Sequence, residues 1–261
     1  MKLDSKVSAV VTGGASGLGA ATARGLAEAG VKVAIFDLDE AGGQLTAKDT
    51  GGAFFRCDVT SNDSIQAALG EARAKHGQER ILVNCAGIAL GIKTVRRNRE
   101  TGDILPHDIG AYAKVIAVNL TGTFNMIALS AAGMIGEDAV TPDGGRGVIV
   151  NTASIAAQDG QMGQVAYAAS KGGVAAMTLP IARDFAREGI RVMTILPGLF
   201  NTPMVAALPD QVREALGASV PFPSRMGQPS EYAALAKHIC ENEMLNGECI
   251  RLDGAIRMTA S

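Results

Sequence analysis

The sequence predicts an α/β fold, with a doubly wound, seven-stranded parallel sheet that carries helices on both faces. Apolar runs of strand length recur along the chain, and segments with the period of an amphipathic helix lie between most of them. The strands are apolar on both faces, which is typical of parallel strands buried between two helical layers. Such alternation specifies parallel strands joined by right-handed crossovers.

The predicted elements follow one another along the whole chain. Strands are expected at 7–13, 32–37, 53–58, 81–87, 147–154, 191–198 and 248–254, and helices at 19–29, 61–75, 109–134, 165–188 and 229–241. Two long loops interrupt the alternation: 91–108, with four Lys or Arg residues, and 199–231, with five of the nine prolines. Because both follow strand ends, where open parallel sheets bind ligands, we expect them to contact substrate.

Size and composition indicate one globular domain over residues 1–261. A chain of this length without a linker suits a single α/β unit, and a hydrophobic content of 47% is ample for a core. The formal net charge of -2 argues against a nucleic-acid-binding protein, which usually carries a basic surplus. We therefore expect a small-molecule partner.

Three features predict where the protein resides and whether it binds a metal: the N-terminal stretch, the cysteines and the histidines. The stretch MKLDSK is too short for a signal peptide, and no apolar run approaches the roughly 18 residues of a membrane span. We expect a cytoplasmic protein without membrane insertion, or a mitochondrial matrix protein if a leader was removed. The four cysteines form no CxxC pair and the three histidines no HExxH motif, which predicts reduced thiols and no metal site. Cys85 is interpreted as a buried apolar residue rather than a nucleophile.

A glycine-rich stretch, TGGASGLG, follows the first predicted strand. Its glycines are spaced Gly13-x3-Gly17-x-Gly19, so a strict GxGxxG is absent. Glycines at such a turn let backbone amides at a helix N-terminus approach a pyrophosphate. The stretch therefore predicts a dinucleotide site, and a glycine-rich turn without a ligand is the alternative.

Acidic and amide side chains end the next strands. Asp37 lies eighteen residues beyond Gly19, close to the roughly 20 at which an acid hydrogen-bonds the adenosine ribose. Because a carboxylate repels a 2′-phosphate, and positions 15, 16 and 38 carry no basic residue, we predict NAD over NADP. The alternative is that Asp37 only caps its strand. Asp58 is suited to the adenine, and Asn84 with Gly87 to the sugar and the backbone of the cofactor.

A tyrosine and a lysine occur together in YAASK. Tyr167 and Lys171 are four residues apart and share one helical face. An adjacent ammonium is expected to lower the phenol pKa toward the working pH of a general acid or base. Ser154, which ends a predicted strand, can hydrogen-bond a substrate oxygen that gains negative charge. Taken singly, the YxxxK pair fits a surface helix and the serine fits an N-cap.

The order of these motifs resembles the short-chain dehydrogenase/reductase family. TGGASGLG, NCAG, the asparagine of VNLTGTFN, NTAS, YAASK and LPG occur in the family's order over residues 5–258. The resemblance implies a Rossmann fold and a catalytic tetrad at Asn119, Ser154, Tyr167 and Lys171, in which Asn119 orders a water that relays protons to Lys171. It also implies that backbone near Ile195, Gly198 and Thr202 contacts the nicotinamide. The cofactor-binding residues predicted in all are Gly13, Ser16, Gly17, Leu18, Gly19, Asp37, Asp58, Val59, Asn84, Ala86, Gly87, Tyr167, Lys171, Pro197, Gly198 and Thr202.

Within that family, the chain is most similar to the type-2 3-hydroxyacyl-CoA dehydrogenases. The stretches GQMGQVAYAASKGGV, PGLFNTPM, VPFPSRMG and LNGECIRLDGAIRM carry this likeness. It implies an acyl-CoA ester substrate contacted by Ser154, Gln164 and Tyr167, although Gln164 could also be a plain surface residue. The basic residues of 91–108 are then candidates for the CoA phosphates, or form a solvated loop: Lys93, Arg96, Arg97 and Arg99.

The resemblance leaves two other functions open. One is the same chemistry on hydroxysteroids, bile acids or other secondary alcohols, and the other is a non-catalytic cofactor-binding protein, since a fold alone does not specify function. The resemblance also implies a homotetramer, paired through helices 109–134 and 165–188 and through the C-terminal strand near Ile250.

Overall fold

The computed structural model describes residues 1–206 and 209–260, except the side chain of Met204. Seven strands form its main sheet: β1 (Ser8–Thr12), β2 (Lys32–Asp37), β3 (Ala53–Arg56), β4 (Ile81–Asn84), β7 (Gly147–Thr152), β8 (Ile190–Pro197) and β9 (Cys249–Leu252). Their order is β3-β2-β1-β4-β7-β8-β9, and each neighbouring pair is parallel. The predicted seven-stranded parallel sheet is confirmed. The order reverses between β1 and β4, which opens a crevice at their carboxyl ends.

Helices cover both faces of the sheet. They are α1 (Gly17–Glu28), α2 (Glu40–Thr50), α3 (Asn62–His76), α4 (Ile109–Ile116), α5 (Gly122–Ile135), α6 (Val165–Asp184), α7 (Pro203–Ala206), α8 (Asp210–Ala218) and α9 (Pro229–Glu241). A π-helical turn, Ala117–Thr121, joins α4 to α5. One apolar core, with Leu26 and Ile239, lies under α1 and α9, and a second, with Leu69 and Met126, lies under α3 and α5.

Helix α2 is missing from the sequence prediction. Its sequence, EAGGQLTAKDT, contains two glycines and shows little apolar periodicity. In the fold α2 packs against β3, and a Cβ at Gly43 would collide with the ring of Phe54. The glycine that weakens the helical pattern is therefore the residue that allows the close packing.

The two long loops contain regular structure that the sequence analysis did not expect. In 91–108, strands β5 (Val95–Arg97) and β6 (Ile104–Pro106) pair as an antiparallel hairpin. In 199–231 the described residues include α7 and α8. These elements are short and β5 is wholly exposed, so burial imposes no periodic pattern on their sequences.

One helical stretch, Ile109–Ile135, is long and apolar enough to cross a membrane by length and composition, with a mean hydropathy of 1.5. No such stretch was expected from the sequence, because no uninterrupted apolar run approaches that length. In the fold 44% of the stretch is buried, and a core helix of a soluble protein passes the same test.

Candidate active site

A cleft of about 580 Å³ lies at the carboxyl ends of the strands. This volume lies within the range of small-molecule sites. Most of the residues predicted to bind a cofactor line the cleft: Gly13, Ser16, Gly17, Leu18, Gly19, Asp37, Asp58, Val59, Ala86, Gly87, Tyr167, Lys171, Pro197, Gly198 and Thr202. Ser154 also lines it, whereas Asn119 is not part of the described wall, so three of the four predicted catalytic residues meet the cofactor residues in one place.

Three positions of the glycine-rich turn require glycine: Gly13, Gly17 and Gly19. Gly13 has φ +65°, and a Cβ there would lie 2.7 Å from the backbone nitrogen of Ala86. Gly17 has φ +53°, and a Cβ at Gly19 would overlap the carbonyl of Gly13. These residues bring the N-terminus of α1 to the wall of the cleft, where backbone amides and the helix dipole favour a phosphate. The turn therefore fits a dinucleotide.

Asp37 holds this turn against β2. Its Oδ2 accepts a hydrogen bond from the backbone nitrogen of Ala15 at 3.0 Å, and its Oδ1 accepts from Leu38 at 2.7 Å and Asp39 at 3.0 Å. The carboxylate therefore caps the strand end, as the alternative interpretation expected. It also lines the cleft, so the position can serve both roles.

Asn84 does not lie where the sequence analysis expected it. Its side chain is buried, its Nδ2 donates to Oδ1 of Asn151 at 2.9 Å, and it is not part of the described cleft wall. The two residues are direct partners in the β4–β7 register, so both side chains project from the same face of the sheet and meet each other. Lys114 and Val118, which the sequence analysis did not identify, do line the cleft, because helix α4 and the π-helical turn pass over it.

Tyr167 and Ser154 face each other inside the cleft. Ser154 caps the 3₁₀ turn Ile155–Ala157, with its Oγ accepting from the nitrogen of Ala156 at 3.1 Å. Its side chain is close enough to Tyr167 to lower the pKa of the phenol. The N-cap role that was the alternative is thus present, and both side chains line the cleft.

The predicted lowering of the phenol pKa is wrong for the groups that the chain itself supplies. Burial raises the pKa of Tyr167, and Ser154 lowers it only in part. Lys171 Nζ lies 5.9 Å from the centroid of the Tyr167 ring and donates its hydrogen bond to the carbonyl oxygen of Thr152 at 2.7 Å instead.

Lys171 is a buried cation. Its side chain is 4% exposed, and burial lowers its pKa to about 8. The ammonium can therefore gain or lose a proton near neutral pH, which is unusual for a lysine.

Asn119 lies in the π-helical turn between α4 and α5. Its Oδ1 accepts from the nitrogen of Ile88 at 2.8 Å, and its Nδ2 donates to the carbonyl of Ile88 at 2.9 Å and to Oγ of Ser170 at 3.0 Å. Both amide atoms thus hold the segment after β4 that contains Gly87. A Cβ at Gly87 would lie 3.3 Å from Asn119 Oδ1 and 3.4 Å from Lys171 Nζ, so the three residues are close neighbours.

A buried hydroxyl cluster beneath Lys171 was not predicted. Thr152 Oγ1 and the hydroxyl of Tyr232 lie 2.7 Å apart, and Thr152 Oγ1 donates to the sulfur of Cys85 at 3.4 Å. Cys85 is only partly buried and lines the cleft, unlike the buried residue expected, but desolvation raises the pKa of its thiol and keeps it protonated. Because Tyr232 lies 80 residues from Thr152, no local pattern could indicate this contact.

The side chain of Gln164 turns away from the cleft. Its Oε1 accepts from the nitrogen of Gln161 at 3.1 Å, and its Nε2 lies 3.4 Å from Oε1 of the same residue. Gln164 is absent from the described cleft wall, so the structure does not bring it to Ser154 and Tyr167.

Comparisons with known proteins agree with the fold and the motifs. The short chain dehydrogenase family model matches residues 7–213. The chain is 54% identical to 3-hydroxyacyl-CoA dehydrogenase type-2 of Bos taurus, over 96% of this chain and 95% of that protein, and 53% identical to the Drosophila melanogaster protein of the same name, over 95% and 96%. A crystal structure of 3-hydroxyacyl-CoA dehydrogenase type-2 from Mycobacterium avium matches with a TM-score of 0.91 and 39% identity, over the full length of both chains.

Family, fold and site point to the same conclusion. A match over most of the chain, with relatives more than half identical, is far above what shared fold alone requires. This chain therefore belongs to the short-chain dehydrogenase family and is an oxidoreductase.

Proposed function

We propose that this oxidoreductase uses NAD to interconvert 3-hydroxyacyl-CoA and 3-ketoacyl-CoA esters. The observation that carries the chemistry is that Ser154 and Tyr167 line the same cleft, with the buried Lys171 one helical turn after the tyrosine. The substrate class is supported by the names of the relatives, which are 3-hydroxyacyl-CoA dehydrogenases type-2.

The nicotinamide ring supplies the hydride acceptor or donor when the cofactor is bound, and its oxidised form adds a positive charge. Tyr167, which its raised pKa keeps protonated, gives its proton to the substrate oxygen during reduction, and its phenolate takes that proton during oxidation. Ser154 donates a hydrogen bond to the same substrate oxygen, which stabilises the negative charge that develops there. Lys171, whose Nζ lies 5.9 Å from the centroid of the tyrosine ring, supplies a positive charge in the site that burial leaves little screened.

The preference for NAD is supported by the rim of the cleft. The carboxylate of Asp37 lies where the adenosine ribose would be held, and it would repel a 2′-phosphate. Neutral residues occupy the neighbouring positions Ala15, Ser16 and Leu38.

The CoA phosphates are proposed to contact the basic hairpin. Lys93, Arg96, Arg97 and Arg99 are all exposed, and the segment is linked to the catalytic side by the bond from Ile92 nitrogen to Gly163 oxygen, 2.9 Å long. The alternative is a solvated hairpin. Substitution of all four by Gln would raise KM for an acyl-CoA but not for a substrate without CoA if the contact exists.

We also propose a homotetramer that resides in the cytoplasm, or in the mitochondrial matrix of a eukaryote. Exposed apolar side chains on the long helices support association, since Phe124 of α5 is 50% exposed and Leu179 of α6 is 44% exposed. Light scattering of the purified protein tests the assembly, and a mass near the 26.8 kDa of one chain would refute it.

The first experiment measures NADH oxidation by the purified protein with acetoacetyl-CoA. Two tyrosines of the chain provide a matched pair of variants. Tyr167→Phe removes the proposed acid, and Tyr112→Phe removes a hydroxyl from helix α4. We expect Tyr167→Phe to lose roughly 10²–10⁴-fold in kcat and Tyr112→Phe to remain active.

Two other outcomes would change the proposal. Turnover of hydroxysteroids or other secondary alcohols without turnover of acetoacetyl-CoA would keep the chemistry and replace the substrate. Equal activity of wild type and Tyr167→Phe would refute the role of the tyrosine and favour a cofactor-binding protein without this catalysis.

A further inference from the structure

The segment 158–164 connects the two catalytic hydroxyls. It starts four residues after Ser154 and ends three residues before Tyr167. It contains turns but no helix or strand of its own. Since no ladder of hydrogen bonds holds it in place, its position depends on contacts from other parts of the chain.

Arg251, on strand β9, makes the strongest of these contacts. Its Nη1 donates to Oε1 of Gln158 at 2.6 Å, and its Nη2 donates to Oδ2 of Asp159 at 2.7 Å. The side chain is only 16% exposed and that of Asp159 only 15%, so the ion pair is partly buried. The two residues lie 92 positions apart in the sequence, and the contact therefore joins β9 to the start of the segment.

The same guanidinium also binds the chain that follows β9. Its Nε donates to Oδ2 of Asp253 at 2.7 Å, and its Nη2 donates to the carbonyl of Ile256 at 2.9 Å. A planar guanidinium can bind several acceptors in a fixed geometry, which a lysine ammonium cannot reproduce. Burial alone would lower the pKa of Arg251, but the bonds to Asp159 and Asp253 outweigh it and raise the pKa.

Residues 253–260, once held by Arg251, pin the middle of the segment. The nitrogen of Met162 donates to the carbonyl of Ala260 at 2.9 Å, and Nε2 of Gln161 donates to the carbonyl of Thr259 at 3.1 Å. Segment 158–164 is therefore fastened at its start by Arg251, at its centre by the chain that Arg251 orders, and near its end by the bond from Ile92 nitrogen to Gly163 oxygen.

We propose that Arg251 is a positioning residue of the reaction, which fixes the spacing of Ser154 and Tyr167 by tying segment 158–164 to β9 and to residues 253–260. The proposal rests on the proposed function, in that both hydroxyls must meet one substrate oxygen. Arg251 touches neither substrate nor cofactor in this role. It acts through the loop, so its loss should slow the reaction and leave the distant glycine-rich turn unaltered.

The test compares Arg251→Gln with Arg257→Gln. Both substitutions remove one positive charge from the same region, and both arginines bind Asp253. Arg257 is 64% exposed and donates hydrogen bonds to Asp253 and to the carbonyl of its neighbour Ile256. It acts on Asp159 only through its charge, as the last of the causes that lower the pKa of that carboxyl. Arg257→Gln is therefore matched in charge and location but leaves the hydrogen bonds to segment 158–164 intact.

We expect Arg251→Gln to lower kcat/KM for ketone reduction on the order of 10²-fold, as misplacement by about an ångström does, with the Kd for NADH unchanged. Hydrogen exchange of the amides in 158–163 should become faster in the same variant. Arg257→Gln should match wild type in all three measurements, and Arg251→Lys should recover only part of the loss.

Several results would overturn the proposal. It fails if Arg251→Gln keeps wild-type kcat/KM, if both Gln variants lose activity equally, or if exchange in 158–163 does not change. If Arg251→Gln does not fold, Asp159→Asn removes the same bridge from the loop side. If neither variant folds, the bridge between Arg251 and Asp159 is required for stability, and the proposed positioning role is refuted. A wild type that reduces neither acetoacetyl-CoA nor other ketones refutes the proposed function, while faster exchange in 158–163 still reports on the bridge.

Discussion

The cofactor side and the substrate side of the cleft are held together in different ways. On the cofactor side, the glycine-rich turn is fixed by its own backbone and by Asp37, 22 residues from its partner Ala15. On the substrate side, segment 158–164 is held by Arg251 and by residues near 260, more than 90 positions away. The contacts on the cofactor side are local in sequence, whereas those on the substrate side form only after strand β9 has joined the sheet.

This difference has a consequence for variation. Substitutions on the cofactor side should change which cofactor binds and leave the rest of the site intact. Substitutions on the substrate side should act at a distance, because each contact joins separate parts of the chain. Three predictions test this contrast, in order of decreasing effect.

Lys171 lies where the two sides meet, and its burial should be visible in stability. Its folded pKa of about 8 is below the usual value of 10.5, so the unfolded chain binds more protons between these pH values. Wild-type stability should therefore rise with pH across this window, by up to ~3 kcal/mol relative to Lys171→Met. Urea unfolding of both proteins from pH 7 to pH 10 measures it.

The comparison with Lys171→Met removes the effect of all other groups that titrate in the same range. A stability difference between the two proteins that stays constant with pH would show that the lysine is not strongly perturbed. The variant should also lose turnover at every pH, because it lacks the buried cation of the site.

Exchange of Asp37 for Ser, together with Leu38→Arg, should invert the cofactor preference. The change removes the carboxylate that repels a 2′-phosphate and adds a cation that can bind it, at a position that is 50% exposed. A hydrogen bond to a charged group contributes about 1.5–3 kcal/mol, so the ratio of kcat/KM for NADP and NAD should rise about 10- to 100-fold.

The substrate KM is the control for this exchange. If the cofactor side is as independent as its contacts indicate, the KM for acetoacetyl-CoA should not change. A large rise in that KM would break the contrast between the two sides, and an unaltered cofactor ratio would refute the role of Asp37. Leu38→Arg alone should show a smaller effect, since the carboxylate remains.

Glu231 should show the smallest effect. The bonds from Arg225 and from Gln228 nitrogen lower its pKa to about 2, but both partners of the ion pair are more than 40% exposed. Because solvent screens such a pair, Glu231→Gln should cost less than about 1 kcal/mol at pH 7. Since the folded pKa is depressed, this contribution is present above about pH 4.5 and is lost as the pH falls through about 2.

Thermal unfolding at pH 7 and at pH 3 measures the change. Glu241→Gln, an exposed carboxylate at the other end of α9, is the matched control. A cost of several kcal/mol at pH 7 for Glu231→Gln alone would show that this surface pair fixes the loop before α9 as firmly as Arg251 fixes segment 158–164.

Whereas the order of the strands in the sheet came only from the structure, the sequence by itself determined the fold class, the glycine-rich turn and the identity of the proposed catalytic residues. These depend on periodicity, on glycine at positive φ and on residues four apart on one helix, all of which are local. Helix α2 was not predicted because Gly43 weakens the helical pattern of its sequence. That glycine is needed because it allows α2 to pack against the ring of Phe54.

Only the tertiary structure decided where the side chains of those residues point. It turned Asn84 toward Asn151 and Gln164 toward Gln161, directed Lys171 to the carbonyl of Thr152, and placed Tyr232 beneath it. The physical reason is that a buried polar group must be hydrogen-bonded by whatever the folded chain brings near it. Those partners come from separate strands and helices, so their identity exists only once the sheet has assembled.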